Sequence, residues 1–260
     1  MRCTSRRLII VLLAVLVFAG FAEAPQSVKD FYRSLSRRLG RNRADYPALS
    51  DEAFANFRMI TTTGIAEGKL YRSSSPVSTW SERYTFSDKA AERAGVKTFV
   101  NLADDDPRKQ AGFTGSYYST QKIIPLGLSM KYQSKTFRES LAKGIAQMAG
   151  SEPPFLVHCS LGKDRAGFVC ALLECLCGAG LDEVIADYLV SFGNYFGIEP
   201  GSREYDIVVE CEITRFLAEA FGVKAGELGR LNLAEAGERY FRGIGVSADE
   251  IASLREKLKH

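Results

Sequence analysis

The chain has 260 residues, with 34 Lys and Arg against 31 Asp and Glu and a formal net charge of +3. That length suits one sizeable domain plus a terminal segment, and the near balance of charge, with no basic stripe interleaved with aromatics, argues against a nucleic-acid partner. The two histidines, His158 and His260, lie far apart, and Cys159, Cys170, Cys175, Cys177 and Cys211 are irregularly spaced; neither a metal site nor a disulfide framework has that pattern, and no metal or cofactor is expected.

Residues 1–24 read as a signal peptide or N-terminal anchor. Arg2, Arg6 and Arg7 form a basic start, and residues 8–21 run apolar without a charge. A membrane span needs about 20 apolar residues, so the run better suits the apolar part of an export signal. Ala22-Glu23-Ala24 offers a small-x-small cleavage site that Pro25 disfavours; if uncleaved, the segment would tether the protein to a membrane. The expected location is outside the cytoplasm, either secreted or anchored on the extracytoplasmic face. A working thiolate there must stay reduced in an oxidising place. Residues 25–52 carry Lys29, Arg33, Arg37, Arg38, Arg41 and Arg43 and read as a basic solvated linker. Within it Phe31, Leu35 and Leu39, four apart, would allow one short amphipathic helix.

The domain proper is expected over residues 53–260. Residues 56–60 and 69–74 suit two short strands with Gly64 and Gly68 in the turn between them. A helix over 87–94 ends at Gly95, and residues 96–102 make a buried strand that leads into Asp104-Asp105-Asp106-Pro107. A second apolar strand covers 122–126 and a helix covers 135–150; Pro153-Pro154 then marks the turn into an apolar strand at 155–157. Residues 166–177 read as an apolar helix, with Cys170, Cys175 and Cys177 as core side chains. Beyond it come helices over 181–192 and 205–221, an aromatic loop over 192–197, and a capping box at Ser247 and Glu250 before Ile251, Leu254 and Leu258. Strands alternating with helices predict an α/β fold on a mostly parallel sheet, with the site at the carboxyl ends of the strands.

The stretch His158-Cys159-Ser160-Leu161-Gly162-Lys163-Asp164-Arg165-Ala166-Gly167 sits between a strand end and a helix start. That junction binds anions, because the first helical N–H groups lack partners and the helix dipole is positive there. Gly162 lets the backbone curl its amides inward, and the Arg165 guanidinium can hold two phosphate oxygens at once. Cationic neighbours and a helix N-terminus favour a thiolate nucleophile at Cys159. A phosphate held over that sulfur would be attacked in line to give a phosphocysteine, which water hydrolyses.

This string resembles the signature loop of the cysteine-dependent protein tyrosine phosphatase superfamily, and its Gly-Lys-Asp-Arg core resembles a bacterial branch of it. Asn56-Phe57-Arg58 and Tyr71-Arg72-Ser73 resemble the N-terminal elements of the same bacterial enzymes. The resemblance implies a phosphatase-type central, mostly parallel sheet flanked by helices, with a helical C-terminal part. It implies Cys159 and Arg165 as catalytic residues and Ser160, Leu161, Gly162, Lys163, Asp164 and Arg165 as the phosphate cradle. His158 would stiffen the loop and help bias Cys159 toward thiolate, and Arg58 and Arg72 would either reach phosphate or serve as structural partners.

Two departures from the family pattern stand out. The loop after Leu126, where many relatives carry an acidic proton donor, reads Gly-Leu-Ser-Met-Lys-Tyr-Gln-Ser and holds no carboxylate. Asp164 inside the signature is then the favoured general acid and Asp104 the next; the Asp104–Asp106 run also reads as a solvated turn. Ala166 stands where many relatives carry Ser or Thr, which predicts phosphocysteine breakdown slower by about 10-fold. The expected activity is phosphomonoester hydrolysis, foremost as a protein tyrosine phosphatase with scope for dual specificity. The alternatives are a phosphoinositide or inositol-phosphate phosphatase, favoured by Lys163 adding charge at the cleft floor, and a weakly active phosphate-binding module. Partners are accordingly a phosphorylated protein or a phosphoinositide.

Overall fold

The computed structural model describes residues 26–260; the expected export segment lies outside the described residues. Residues up to Gly40 form one unit, of which helix α1 (Gln26–Arg38) is described. The short amphipathic helix that the spacing of Phe31 and Leu35 allowed within the basic stretch is present: Tyr32 and Leu35 are buried, and Arg37 and Arg38 sit in the last turn, where cations favour the helix dipole. The second unit runs from Arg41 to His260.

That unit is built on five strands: β1 (Arg58–Met59), β2 (Leu70–Ser73), β3 (Thr98–Asn101), β4 (Lys122–Pro125) and β5 (Phe155–His158). They lie in the order β1-β2-β5-β3-β4. Strands β2, β5, β3 and β4 are parallel, and β1 pairs antiparallel with β2 at one edge. The mostly parallel sheet expected from the alternating pattern is therefore present. The central strand β5 is buried at every residue, as an apolar run covered on both faces should be. Its registers place Ser73 and Asn101 on either side of His158, so three strands end together just before Cys159.

The helices follow from local chemistry. Residues 51–54 form α2 (Asp51–Phe54), which Ser50 caps by accepting from the Ala53 amide, and α3 (Arg83–Arg93) ends just before Gly95. Helix α4 (Lys135–Ala149) starts at Ser134, which accepts from the Phe137 amide. Helix α5 (Asp164–Cys177) is buried from Arg165 to Cys177, and a helix apolar all round belongs in the core. Burial pushes the Cys177 thiol up to about 11 and raises those of Cys170 and Cys175 as well, which keeps these cysteines protonated and inert.

Helix α6 (Leu181–Phe196) runs four residues past its expected end. The aromatic residues 192–197 are not a loop: Phe192, Tyr195 and Phe196 are buried, and Gly197 ends the helix. The single helix expected over 205–221 is broken into α7 (Arg203–Val208) and α8 (Thr214–Phe221) by a wider π-type turn at Val209–Ile213, in which Glu212 and Ile213 are buried. A further helix, α9 (Leu233–Ile244), was not foreseen; Asn232 caps it through the Glu235 amide. Helix α10 (Ala248–Lys259) begins at the expected Ser247–Glu250 capping box. These C-terminal helices cover α5, where Phe168 meets Phe216 and Tyr240 edge-on at 6.3 and 6.4 Å.

The turn between β1 and β2 is tied to this helical layer. Gly64 has φ +86°, and a Cβ there would sit 1.9 Å from the Cys177 carbonyl oxygen; Gly68 has φ +77° with nothing within 4 Å of its Cβ position. Gly68→Ala should cost about 1–2 kcal/mol, the left-handed backbone penalty alone. Gly64→Ala should cost about 1–3 kcal/mol more from overpacking. Urea unfolding midpoints measure both, and equal losses would contradict the close approach of Gly64 to α5.

Candidate active site

The site is the five-residue connection from β5 to α5. Cys159 follows the central strand directly and is buried. The Ser160 carbonyl accepts from the Ser75 amide at 3.2 Å, which ties the loop to the segment after β2. Gly162 is in the left-handed region at φ +68°, and a Cβ there would lie 2.1 Å from the Ser73 carbonyl oxygen. Only glycine permits both this conformation and this packing against the end of β2.

Arg165 lies in the first turn of α5, and its guanidinium is buried against the strand ends. Nη1 donates to the carbonyls of Leu102 at 3.0 Å and Leu128 at 2.9 Å, and Nη2 donates to Ser160 Oγ at 3.1 Å. Buried Nε has no partner among the described residues. Leu102 follows β3 and Leu128 follows β4, so the carboxyl ends of the sheet orient the guanidinium. Nε and Nη2 share one edge of the plane, the edge that grips two oxygens of a tetrahedral oxyanion. A buried N–H without an acceptor is costly, and a phosphate oxygen is a fitting one.

The other cation of the loop is not at the cleft floor. The Lys163 side chain is buried; its ammonium pairs with Asp164 and lies 4.3 Å from the centre of the Phe192 ring. Burial alone would lower its pKa, but the Asp164 and Glu212 carboxylates overcome that and raise it. The expected contribution of the Lys163 side chain to a basic pocket is thus corrected: its charge is spent inside the protein. Asp164 is the first residue of α5 and its side chain keeps some exposure.

His158 is fully buried beside Tyr118 and Phe99, with ring centres 5.4 and 6.4 Å away. Burial pushes its imidazole down to about 3, so it is neutral at ordinary pH. A neutral ring packed there acts on the end of β5 through packing and brings no positive charge to Cys159.

The acidic run after β3 divides its tasks. Asp104 accepts from Asn101 Nδ2 at 3.2 Å and from Gln110 Nε2 at 2.6 Å; Asp105 is exposed. Asp106 accepts from the Arg108 amide and starts the short turn at Pro107–Lys109. The loop after β4 is tied down instead of carrying an acid: Leu128 and Tyr132 are buried, and Tyr132 stacks on Phe168 at 4.5 Å.

Arg58 and Arg72 do not reach the phosphate cradle from its open side. Both bind one carboxylate, Asp187 of α6: Arg58 Nε at 2.7 Å and Arg72 Nη1 at 2.5 Å. Burial works to raise the Asp187 carboxyl, but the two guanidiniums outweigh it and hold it at about 2. Sequence reasoning missed Asp187; its only signal was one acidic residue amid the apolar run Val184-Ile185-Ala186-Asp187-Tyr188-Leu189.

The description "Tyrosine phosphatase family" belongs to the sequence-family model that matches residues 53–260. A tyrosine-protein phosphatase of Nostoc commune is 27% identical over 215 residues, 68% of this chain and 71% of that protein. Among solved structures, a Cys-to-Ser variant of P. aeruginosa TpbA in complex with pTyr is 18% identical and covers 81% of this chain and 93% of its own, with a TM-score of 0.33.

The neutral His158 makes a pH prediction whose sign is fixed. Its folded pKa lies below the unfolded value of about 6.5, so the unfolded chain binds the proton first. The stability it contributes is complete above about pH 6.5 and is lost as pH falls toward about 3, at up to about 1.4 kcal/mol per pH unit. Buried Glu174, whose carboxyl burial raises well above the usual range, works in the opposite sense, so the His158 contribution is read as a difference: urea midpoints between about pH 6.5 and about pH 5 should fall more steeply in wild type than in His158→Gln. Parallel profiles of the two proteins over that range would contradict a buried neutral imidazole.

Proposed function

This chain belongs to the tyrosine phosphatase family, and on that premise we propose that it is a protein tyrosine phosphatase that works through a phosphocysteine on Cys159. The observation that carries the reading is the edge of Arg165: a buried Nε without a protein acceptor, beside Nη2, in the loop that starts with Cys159. Two oxygens of a phosphomonoester dianion would take that edge, and the loop amides and the N-terminus of α5 would take the rest of its charge. The Cys159 sulfur then attacks phosphorus in line while the bond from phosphorus to the ester oxygen breaks. The leaving phenolate takes a proton from Asp164. Water attacks the phosphocysteine next, Asp164 takes back a proton, and inorganic phosphate and the thiolate are released.

Asp164 is favoured as the acid because it stands inside the signature loop with a partly exposed side chain; it would have to give up its pair with Lys163 to carry the proton, and Asp104, held by Asn101 and Gln110 after β3, is the next choice. The position of Lys163 bears on substrate class: with its ammonium taken by Asp164 and Phe192, the loop lacks the surplus cation that a polyanionic inositol headgroup would call for. In the same reading residues 53–260 are the catalytic domain, and residues 1–24 export the protein or anchor it outside the cytoplasm, an assignment supported by Arg2, Arg6, Arg7 and the apolar run after them.

The test compares phosphate release from a phosphotyrosine peptide, a phosphoserine peptide and a phosphatidylinositol phosphate in reducing buffer. Release should be fastest from the phosphotyrosine peptide and absent in Cys159→Ser. Asp164→Asn should lose about 100-fold on phosphotyrosine and much less on an aryl phosphate whose leaving group needs no proton. Faster lipid turnover would move the assignment to phosphoinositides. A full loss in Asp104→Asn with an active Asp164→Asn would move the acid to Asp104.

A further inference from the structure

Helix α6 carries Asp187, Ser191 and Tyr195 at i, i+4 and i+8, so all three lie on one face. That face meets the back of the phosphate loop, and the contacts fall on three successive carbonyls. The Leu161 carbonyl accepts from Tyr195 Oη at 2.6 Å and from Asn56 Nδ2 at 3.1 Å. Those of Gly162 and Lys163 accept from Arg72 Nη2 at 3.0 and 3.1 Å. Asp187 in turn holds Arg72, and Ser191 Oγ lies 3.1 Å from Asn56 Nδ2 and 3.2 Å from Arg72 Nη2. Asn56 itself sits at φ +52°, fully buried, an unusual backbone for a residue with a side chain.

A trans peptide is planar, so its C=O and the N–H of the next residue point in opposite directions. Pinning the carbonyls of Leu161, Gly162 and Lys163 outward therefore aims the amides of Gly162, Lys163 and Asp164 inward. None of these three amides donates to a protein acceptor among the described residues. We propose that the Asp187–Ser191–Tyr195 face of α6, acting through Arg72 and Asn56, is the positioning device that holds the anion-binding amides of the loop in register before substrate arrives. The inference rests on the phosphatase reading above. It gives the three residues a role on the affinity for the phosphoryl group, beyond their share of stability.

Inorganic phosphate is the probe, and its protection of Cys159 from iodoacetamide is the readout, which needs no turnover. Tyr195→Phe keeps the ring that packs 4.4 Å from the Arg83 guanidinium and removes only the hydroxyl donor. Asp187→Asn keeps the shape and removes the charge that holds Arg72. Both variants should need about 10-fold more phosphate for the same protection, and Tyr195→Phe should do so with a far-UV spectrum like wild type and a melting temperature lowered by only about 2–4 °C. For Tyr195→Phe the KM for p-nitrophenyl phosphate should rise in step with the phosphate concentration needed. If Asp187→Asn does not fold, Tyr195→Phe decides alone. A folded Tyr195→Phe protected at the wild-type phosphate concentration would overturn the positioning role. A wild type that phosphate does not protect would instead strike the phosphatase reading itself.

Discussion

A loop that turns its N–H groups toward a ligand must turn its carbonyls the other way, and each of those carbonyls needs a donor in a place that water does not reach. That constraint organises the molecule behind the site. Strand β2 brings Arg72 next to β5, β1 brings Arg58 alongside it, and α6 brings the carboxylate that holds both guanidiniums. Two buried arginines side by side would repel each other; Asp187 makes the pair tenable, and removing one member of such a buried group typically costs about 3–5 kcal/mol. The order of the sheet, with β5 between β2 and β3, is what lets one side of the loop be supported while the other receives Arg165.

The charges near Cys159 are sorted by the same logic. Arg58 and Arg72 share the one carboxylate of Asp187 behind the loop, and Lys163 is paired with Asp164 beside Phe192. Arg165 is oriented by neutral acceptors alone, two carbonyls and a hydroxyl, which direct the guanidinium without cancelling its charge. Its Nε has no protein acceptor among the described residues. The proposed substrate, a single phosphomonoester, suits such a site, because one compact dianion can use the Arg165 edge and the loop amides together.

The parts of this arrangement that were legible in the sequence are the ones encoded locally. An apolar run, a glycine-containing loop and a second apolar run placed Cys159 and Arg165 at a strand–helix junction, and the capping residues Ser247 and Glu250 marked the last helix. What stayed hidden depends on contacts across the chain. Asp187 lies more than a hundred residues from the arginines it holds, and no spacing rule connects them. The aromatic residues after Phe192 looked like a loop because their partners, the signature loop and its neighbours, are distant in sequence. The break at Val209–Ile213 has no proline or glycine to announce it, and inside it Glu212 accepts from Tyr188 Oη at 2.7 Å. Lys163 was misplaced for a related reason: residue type suggests a charge in the cleft, whereas burial and the Asp164 carboxylate decide where the ammonium goes.

The central claim is that Cys159 takes the phosphoryl group. Its most direct test is to mix the protein with a phosphotyrosine peptide, quench with acid within the first turnovers, and map the mass of the peptide that carries residue 159. The account predicts one phosphoryl group on Cys159 in the wild-type protein, at a level raised by the slow hydrolysis that Ala166 implies. Phosphate released with no phosphoryl group ever found on that peptide, or found on a different residue, would contradict it.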